Sequence, residues 1–391
     1  MREAVIVAGA RTPVGKAKKG SFANTRPDDL AALTVKEVLK RANNYDGPID
    51  DIIIGCAMPE AEQGMNMARN IGGLAGLDHD VPGITINRYC SSGLQSIAYA
   101  AERIMLGNSE AIIAGGAESM SLIPMGGHVI KPNLDLVENA PGYYMSMGHT
   151  AEEVAQRFGI SREDQDAFAA RSHEKAAKAL AEGKFDDEIV PVDVVQRTVG
   201  PENKVHETTV TVTKDEGVRA GTTPEVLSKL KPAFTLGGSV TAGNASQMSD
   251  GAASVLVMDR EKAEKEGLTP LVKFRSFTVQ GVEPEIMGVG PVKAIPKAVE
   301  MAGLELSDIG LFELNEAFAS QSLQVIRELG LNEDIVNVNG GAIALGHPLG
   351  CTGTKLTVSL MNEMKRRDVK YGVVTMCIGG GMGAAGVFEL L

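Results

Sequence analysis

Residues 84–96 read ITINRYCSSGLQS: a short strand, a tight polar turn carrying Cys90, and the start of a helix. The helix continues with Leu94, Ile97, Ala98, Ala101, Ile104 and Met105 on one face, a 3.6-residue period, and Gly107 is placed to cap it. The same order of strand, turn and helix start recurs from Val336 through GHPLGCTGTK at 346–355. Upstream, VKEVLKRANNYDGPIDDIIIGCA at 35–57 parallels IPKAVEMAGLELSDIGLFELNEA at 295–317. Each is a helix, a turn with Asp, and a buried strand that ends in polar or catalytic residue types. A repeat of nearly half the chain implies two homologous domains rather than a solenoid.

Working outward, apolar runs predict strands at Val5–Ala8, Asp51–Gly55, Ile84–Ile86 and Ala111–Ala114 in the first half. The second half has Leu271–Phe274, Ile309–Leu314, Ile335–Val338 and Val373–Cys377. Helices are expected over Asp29–Ala42, with Leu30, Leu33, Val35 and Leu39 inward, and over Ile295–Ala302. Buried strands separated by helices indicate an α/β fold with a largely parallel sheet covered on both faces. Between Ser121 and Val240 the rhythm breaks. SMSLIPMGGHVIKPN gives way to SREDQDAFAARSHEKAAKALAEG, with Ser161 as N-cap, and then to KVHETTVTVTKDEG. An insertion at the end of a parallel strand usually covers a site. The expected units are therefore 1–120 with 241–268, the insertion 121–240, and 269–391, with DREKAEKEG at 259–267 joining the halves.

The bulk properties narrow the function. A chain of 391 residues, 43% hydrophobic, can bury a full core unaided. Four cysteines with no CxxC pair argue against a disulfide framework and for a reducing cytoplasm. His79, His128, His149, His173 and His206 lack metal-ligand spacing, so no metal is expected. The start, MREAVIVAG, reads as strand at once, without a targeting segment, and no apolar run approaches a membrane span. A net charge of −12 argues against non-specific nucleic-acid binding but leaves room for an anionic small molecule at a local basic patch.

Four positions carry candidate chemistry. Cys90 lies at the carboxyl end of a strand and the start of a helix, where free N–H groups and the helix dipole favour a thiolate. His347, in the glycine-rich GGAIALGHPLG, can take a proton from a thiol or donate to an oxyanion. Cys377 ends the strand GVVTMC, and the N–H groups of the following IGGGMGAAG can form an oxyanion hole. The G-x-G-x-x-G of Gly381, Gly383 and Gly386 is not a dinucleotide fingerprint, because no helix has room to follow it. Asn315 and Glu316 end another strand, and Asn315 can hold a water, hold a carbonyl or cap a helix. Cys56 and Cys351 read as structural.

These residues resemble the thiolase family. Cys90-Ser91-Ser92, Asn315-Glu316-Ala317-Phe318, Gly346-His347-Pro348 and Cys377-Ile378-Gly379 are similar to its four active-site motifs, in its order and over the whole chain. The resemblance implies duplicated α/β domains in a five-layered α-β-α-β-α arrangement, with the insertion as a loop domain over coenzyme A. It implies a Cys90 acyl-enzyme, His347 as its activator, and Cys377 as a second acid/base. Asn315 and Gly379 would complete the oxyanion sites. Coenzyme A and 3-ketoacyl-CoA would be substrates, with no tightly bound cofactor. The CoA contacts implied are Arg219, Ser246, Ala242, Gly243, Ala317, Phe318, Met147, Leu230, Phe234 and Met287. Ser146 stands where short-chain biosynthetic members commonly carry His, and the segment Met125–Tyr144 looks short. Both lean toward a degradative, homodimeric enzyme, with a biosynthetic homotetramer as the alternative. Ketosynthases and 3-hydroxy-3-methylglutaryl-CoA synthases share the fold. Ketosynthases usually place His where Cys377 stands. A non-catalytic CoA-binding protein is the remaining rival.

Overall fold

The computed structural model describes residues 2–199 and 203–391. The first half runs β1 (Ala4–Arg11), β2 (Gly15–Lys16), α1 (Pro27–Arg41), β3 (Asp51–Gly55), α2 (Met67–Ala75), β4 (Gly83–Ile86), α3 (Ser92–Met105) and β5 (Ala111–Ser119). The insertion adds α4 (Leu134–Asn139), α5 (Met147–Phe158), α6 (Arg162–Ala181), the hairpin β6 (Val192–Val199) and β7 (Val205–Val212), and α7 (Pro224–Leu227). The chain then returns through β8 (Ser249–Asp259) and α8 (Arg260–Lys265). The second half comprises β9 (Val272–Gly281), α9 (Gly290–Met301), β10 (Leu311–Leu314), α10 (Ala319–Leu329), α11 (Ala342–Leu345), α12 (Thr352–Arg367), β11 (Tyr371–Ile378) and β12 (Met382–Leu390).

Period-two alternation sorts the strand side chains into three cores, and the layers follow. In β3, Ile52 and Ile54 face α1 and α2, while Ile53 faces the other way, toward α3. In the second half, Phe312 and Val373 face α9 and α10, while Leu311 and Val374 face inward. The central core is shared: Leu94, Ile97 and Ile104 of α3 meet Leu356, Leu360 and Met364 of α12 between the two halves. Helices, sheet, paired helices, sheet and helices make five layers. Each fully buried Leu or Ile contributes about 2 kcal/mol, so a double-sided sheet is strongly fixed in register.

The sheet is mixed rather than largely parallel. β3 pairs parallel with β4 and β5, and β10 pairs parallel with β11. β8 runs antiparallel to both β1 and β5, and β12 runs antiparallel to both β9 and β11. Short antiparallel contact between β1 and β9 at Val5 and Ile6 joins the halves. No strand forms over 335–338: Asn337 is left-handed (φ +45°), and only Val336 bridges to Phe312. On α1 the buried face is Leu30, Ala31, Thr34, Val35 and Val38, so Leu33 points outward. Ser161 caps α6 as expected, its side chain accepting from the Asp164 N–H at 3.0 Å. The insertion is anchored from below: buried Arg11 donates to Glu188 at 2.7 Å and to both oxygens of Asp215 at 2.8 and 2.9 Å. Two buried carboxylates share this one guanidinium, and the buried Lys355 supplies the second positive charge near them.

Candidate active site

The site forms where the amino ends of α3 and α12 meet. A 3-10 turn, Tyr89–Ser91, leads into α3, and a matching turn, Leu349–Cys351, leads into α12. The offset that lays residues 35–57 on 295–317 lays these turns on each other and Ser92 on Thr352. It pairs Cys90 with Gly350, Asn87 with His347, Gly55 with Asn315 and Ala117 with Cys377. One half therefore supplies a thiol where the other has none, and receives an imidazole, an amide and a second thiol in return.

Cys90 is held by local strain that its neighbours compensate. Tyr89 is left-handed (φ +44°), unfavourable for a bulky residue. Its N–H donates to Asn87 Oδ1 at 2.8 Å, and its carbonyl accepts from the Ser92 hydroxyl at 2.8 Å. The Ser92 oxygen also accepts from the Arg88 N–H at 2.8 Å. Cys90 is buried, at 7% exposure, and packs with Ala57, Met120 and Leu349, and the Gly379 N–H is aimed at its sulfur. Burial pushes the Cys90 thiol up to about 12, against the opposing Gly379 and Cys90 N–H groups. The expected thiolate is therefore not the resting state: desolvation outweighs the helix end, and Cys90 waits as a thiol. Cys377, fully buried, is raised by burial and then by Cys90 beside it.

His347 is oriented from both sides. Its backbone N–H donates to Gln247 O and Ser249 Oγ at 3.2 and 3.1 Å. Its Nδ1 lies 2.6 Å from Thr352 Oγ1, whose single proton goes to Pro348 O at 3.1 Å. Nδ1 must then be the donor, which leaves Nε2 with its lone pair facing Asn315 Nδ2 at 3.3 Å. Burial holds His347 down to about 3, with Lys355 adding to the effect, so the ring is neutral and keeps its lone pair at Nε2. Asn315 caps no helix: α10 begins after Phe318, which has no side-chain cap. Its backbone N–H donates to Thr375 O at 2.9 Å, and its buried Oδ1 has no protein partner.

Around this centre the sequence-derived binding residues fall into two groups. Met147, Met287, Ala317 and Phe318 pack with Cys377 in one cluster, and Met147 faces Gly379. Phe234 lies edge-on to Phe318 at 6.1 Å, and the lack of a Cβ on Gly148 makes room for its ring. Leu230 covers Gly243, Ala242 is exposed, and the Ser246 N–H donates to Ala317 O at 2.9 Å. Arg219 is exposed and stands apart from that cluster, its N–H bonded to His173 Nδ1 at 3.2 Å. The adjacent Gly217 carbonyl, bonded to Gln247 Nε2 at 3.0 Å, places this strip beside Ser246. Ser146 caps the start of α5 by position and pairs its hydroxyl with His149 Nδ1 at 2.6 Å. Sequence reasoning gave no role to Thr352, to Ser92, named only within the Cys90 motif, or to Gln247. The repeat could have shown the first two, since a hydroxyl residue follows both turns.

Among the described residues no group of His, Cys, Asp and Glu is arranged to hold a metal, and no helix is long and apolar enough to cross a membrane. The family models for the thiolase N-terminal and C-terminal domains match residues 4–261 and 268–390. A 3-ketoacyl-CoA thiolase of Bacillus subtilis is 72% identical over 390 residues, covering all of both chains. The crystal structure of the Bacillus anthracis acetyl-CoA acetyltransferase superposes with a TM-score of 0.90 at 42% identity, over 100% of this chain and 99% of that one. That of the dimeric peroxisomal thiolase of Saccharomyces cerevisiae gives 0.88 at 40%, over 100% and 98%. Two domain models that between them span nearly the whole chain, on a fold already built as two matched halves, place this protein in the thiolase family.

Proposed function

We propose that this thiolase cleaves 3-ketoacyl-CoA with coenzyme A, giving acetyl-CoA and an acyl-CoA shortened by two carbons. The observation that carries this reading is the convergence of a buried thiol, a second thiol and a free Gly379 N–H on one point. Beside it stands a neutral imidazole whose Nε2 lone pair faces Asn315 Nδ2 at 3.3 Å. Cys90 attacks the 3-keto carbonyl as His347 Nε2 takes its proton. The bond between C2 and C3 breaks, and the electrons pass to the enolate of acetyl-CoA. Cys377 gives its proton to the enolate carbon, which is why a second acid/base is needed. Coenzyme A then attacks the Cys90 thioester, giving its thiol proton to the Cys377 thiolate, while the His347 imidazolium returns its proton to the departing Cys90 sulfur. The thioester oxygen faces the N–H groups of Cys90 and Gly379, and the enolate oxygen faces His347 and a water on Asn315.

Segment 121–240 acts as the cover over coenzyme A. Met147, Leu230, Phe234, Met287, Ala317 and Phe318 receive the pantetheine arm, with Ala242, Gly243 and Ser246 along it. Arg219 meets the nucleotide end, an anionic group in an otherwise acidic chain. We infer a degradative, β-oxidation role in the cytoplasm and a homodimer; the Bacillus subtilis relative's name, 3-ketoacyl-CoA thiolase, supports the substrate, and the dimeric yeast structure supports the dimer. Thiolysis of acetoacetyl-CoA against longer 3-ketoacyl-CoAs tests the assignment. Equal or higher kcat/KM on the longer substrates is expected, whereas activity confined to acetoacetyl-CoA would point to the biosynthetic reaction instead.

A further inference from the structure

We propose that Glu118 is a positioning residue for acyl transfer, clamping the turn after β3 to the turn that opens α12 and so setting Cys90 against His347. Glu118 is the last residue but one of β5 and is 1% exposed. Its Oε2 accepts from Ala57 N at 2.7 Å and from Gly350 N at 2.8 Å. Its Oε1 accepts from Gln63 Nε2 at 2.8 Å, Met58 N at 3.2 Å and Cys56 Sγ at 3.7 Å. Burial raises this carboxyl, but all five partners are donors. Only the ionised form satisfies them, and a protonated one would leave its own O–H without an acceptor.

The clamp acts across the two halves of the molecule. Ala57 and Met58 belong to the first half, and Gly350 to the turn that runs from His347 to Thr352 in the second. Ala57, which it holds, and Leu349, the neighbour of Gly350, pack around Cys90. Space there is minimal: a Cβ on Gly350 would stand 2.7 Å from the Cys56 α-carbon and 2.8 Å from Glu118 Oε2. A small change in the carboxylate therefore moves the α12 turn, and His347 with it.

The charge has a second effect. Glu118 adds to burial in disfavouring the thiolates of Cys90, Cys56 and Cys351. The other ionisable groups at Cys90 are Cys377 and, on this reading, the neutral His347, while Lys355 and Arg11 act on Cys351 from the far side, and Lys355 acts on His347. A carboxylate near Cys90 holds the proton on the thiol until His347 removes it. The repulsion ends when the sulfur is acylated.

This inference rests on the acyl-transfer reading of Cys90 but is tested apart from it. Glu118→Gln and Glu118→Asp are made in the full chain. Thermal melting, steady-state thiolysis of a 3-ketoacyl-CoA, and iodoacetamide alkylation of Cys90 across pH are then compared. Glu118→Gln is expected to lower kcat about tenfold with KM within about twofold, and to raise Cys90 alkylation near neutral pH about threefold, the effect of half a pKa unit. Glu118→Asp keeps the charge, so alkylation stays at the wild-type rate while kcat falls. A folded Glu118→Gln protein with an unshifted alkylation profile overturns the proposal, as does wild-type kcat in Glu118→Asp, which decides the matter if the Gln variant does not fold. If wild-type protein does not thiolyse at all, the acyl-transfer reading falls, and the substrate-free alkylation arm still decides the clamp.

Discussion

Gly353, one residue into α12, lies against the backbone of Leu94 in α3 so closely that a Cβ would collide with the Leu94 N–H. Its equivalent, Gly93, stands where a Cβ would come within 2.8 Å of Gly350 O. The two helix starts touch through residues without side chains, and that contact brings the Cys90 turn and the His347 turn to one place.

Gly353→Ala should therefore separate the two turns. Overpacking of this kind costs about 1–3 kcal/mol, and here the obstacle is backbone rather than a flexible side chain, so the upper end is expected. Urea denaturation measures it. Activity should fall by more than the loss of folded protein explains.

Thr352→Val removes the oxygen that receives the His347 Nδ1–H and leaves a buried donor unpaired, at about 1–3 kcal/mol. The ring is then free to take the other tautomer. We expect kcat to fall about 10-fold to 100-fold with KM little changed, since catalysis by a positioned base is worth about that much. Thr352→Ser should recover most of it. Steady-state thiolysis of the three proteins checks this.

Cys377→Ala should block cleavage of 3-ketoacyl-CoA while leaving Cys90 acylation by a simple acyl-CoA at least partly intact. Intact-protein mass spectrometry reads the acyl adduct, and a thiolysis assay reads turnover. Full retention of thiolysis would remove Cys377 from the mechanism.

Burial keeps His347 neutral down to about 3 in the folded chain, whereas an exposed imidazole protonates near 6.5. Below that upper value the unfolded chain binds a proton that the folded chain refuses, so folding stability is lost as pH falls from about 6.5 toward 3. His347→Gln removes this contribution. Between pH 7 and pH 5 the wild type should lose more stability than the variant, by up to about 2 kcal/mol. Denaturant titrations of both proteins at the two pH values measure the difference. Equal losses would mean that His347 is not held neutral.

Much of this was legible in the sequence, and the gaps have physical causes. Cys90 and His347 were visible because strand, turn and helix start recur around both, and the repeat gave two halves. Strand direction was not legible. A strand buried on both faces is apolar throughout whether its neighbour is parallel or antiparallel, so β8 and β12, the antiparallel members beside β5 and β11, left no distinguishing pattern. The apolar run at 335–338 reads as strand, yet Asn337 turns it aside because its side chain bonds Leu314 N and Leu314 O, each at 2.8 Å. The resting thiol at Cys90 was hidden too: sequence shows the helix end that favours a thiolate but not the burial that overrides it. Glu118 and Thr352 act through partners hundreds of residues away or through a turn geometry, and neither leaves a periodic signal.

The central claim is that Cys90 carries the acyl group cut from a 3-ketoacyl-CoA. Incubating the protein with 3-ketooctanoyl-CoA in the absence of free coenzyme A, followed by peptide mass spectrometry, tests it most directly. A hexanoyl thioester is expected on the peptide bearing Cys90, with acetyl-CoA released in equal amount and no adduct in Cys90→Ser. Acetyl-CoA release without an adduct, or an adduct on Cys377 or Cys351 instead, would contradict it.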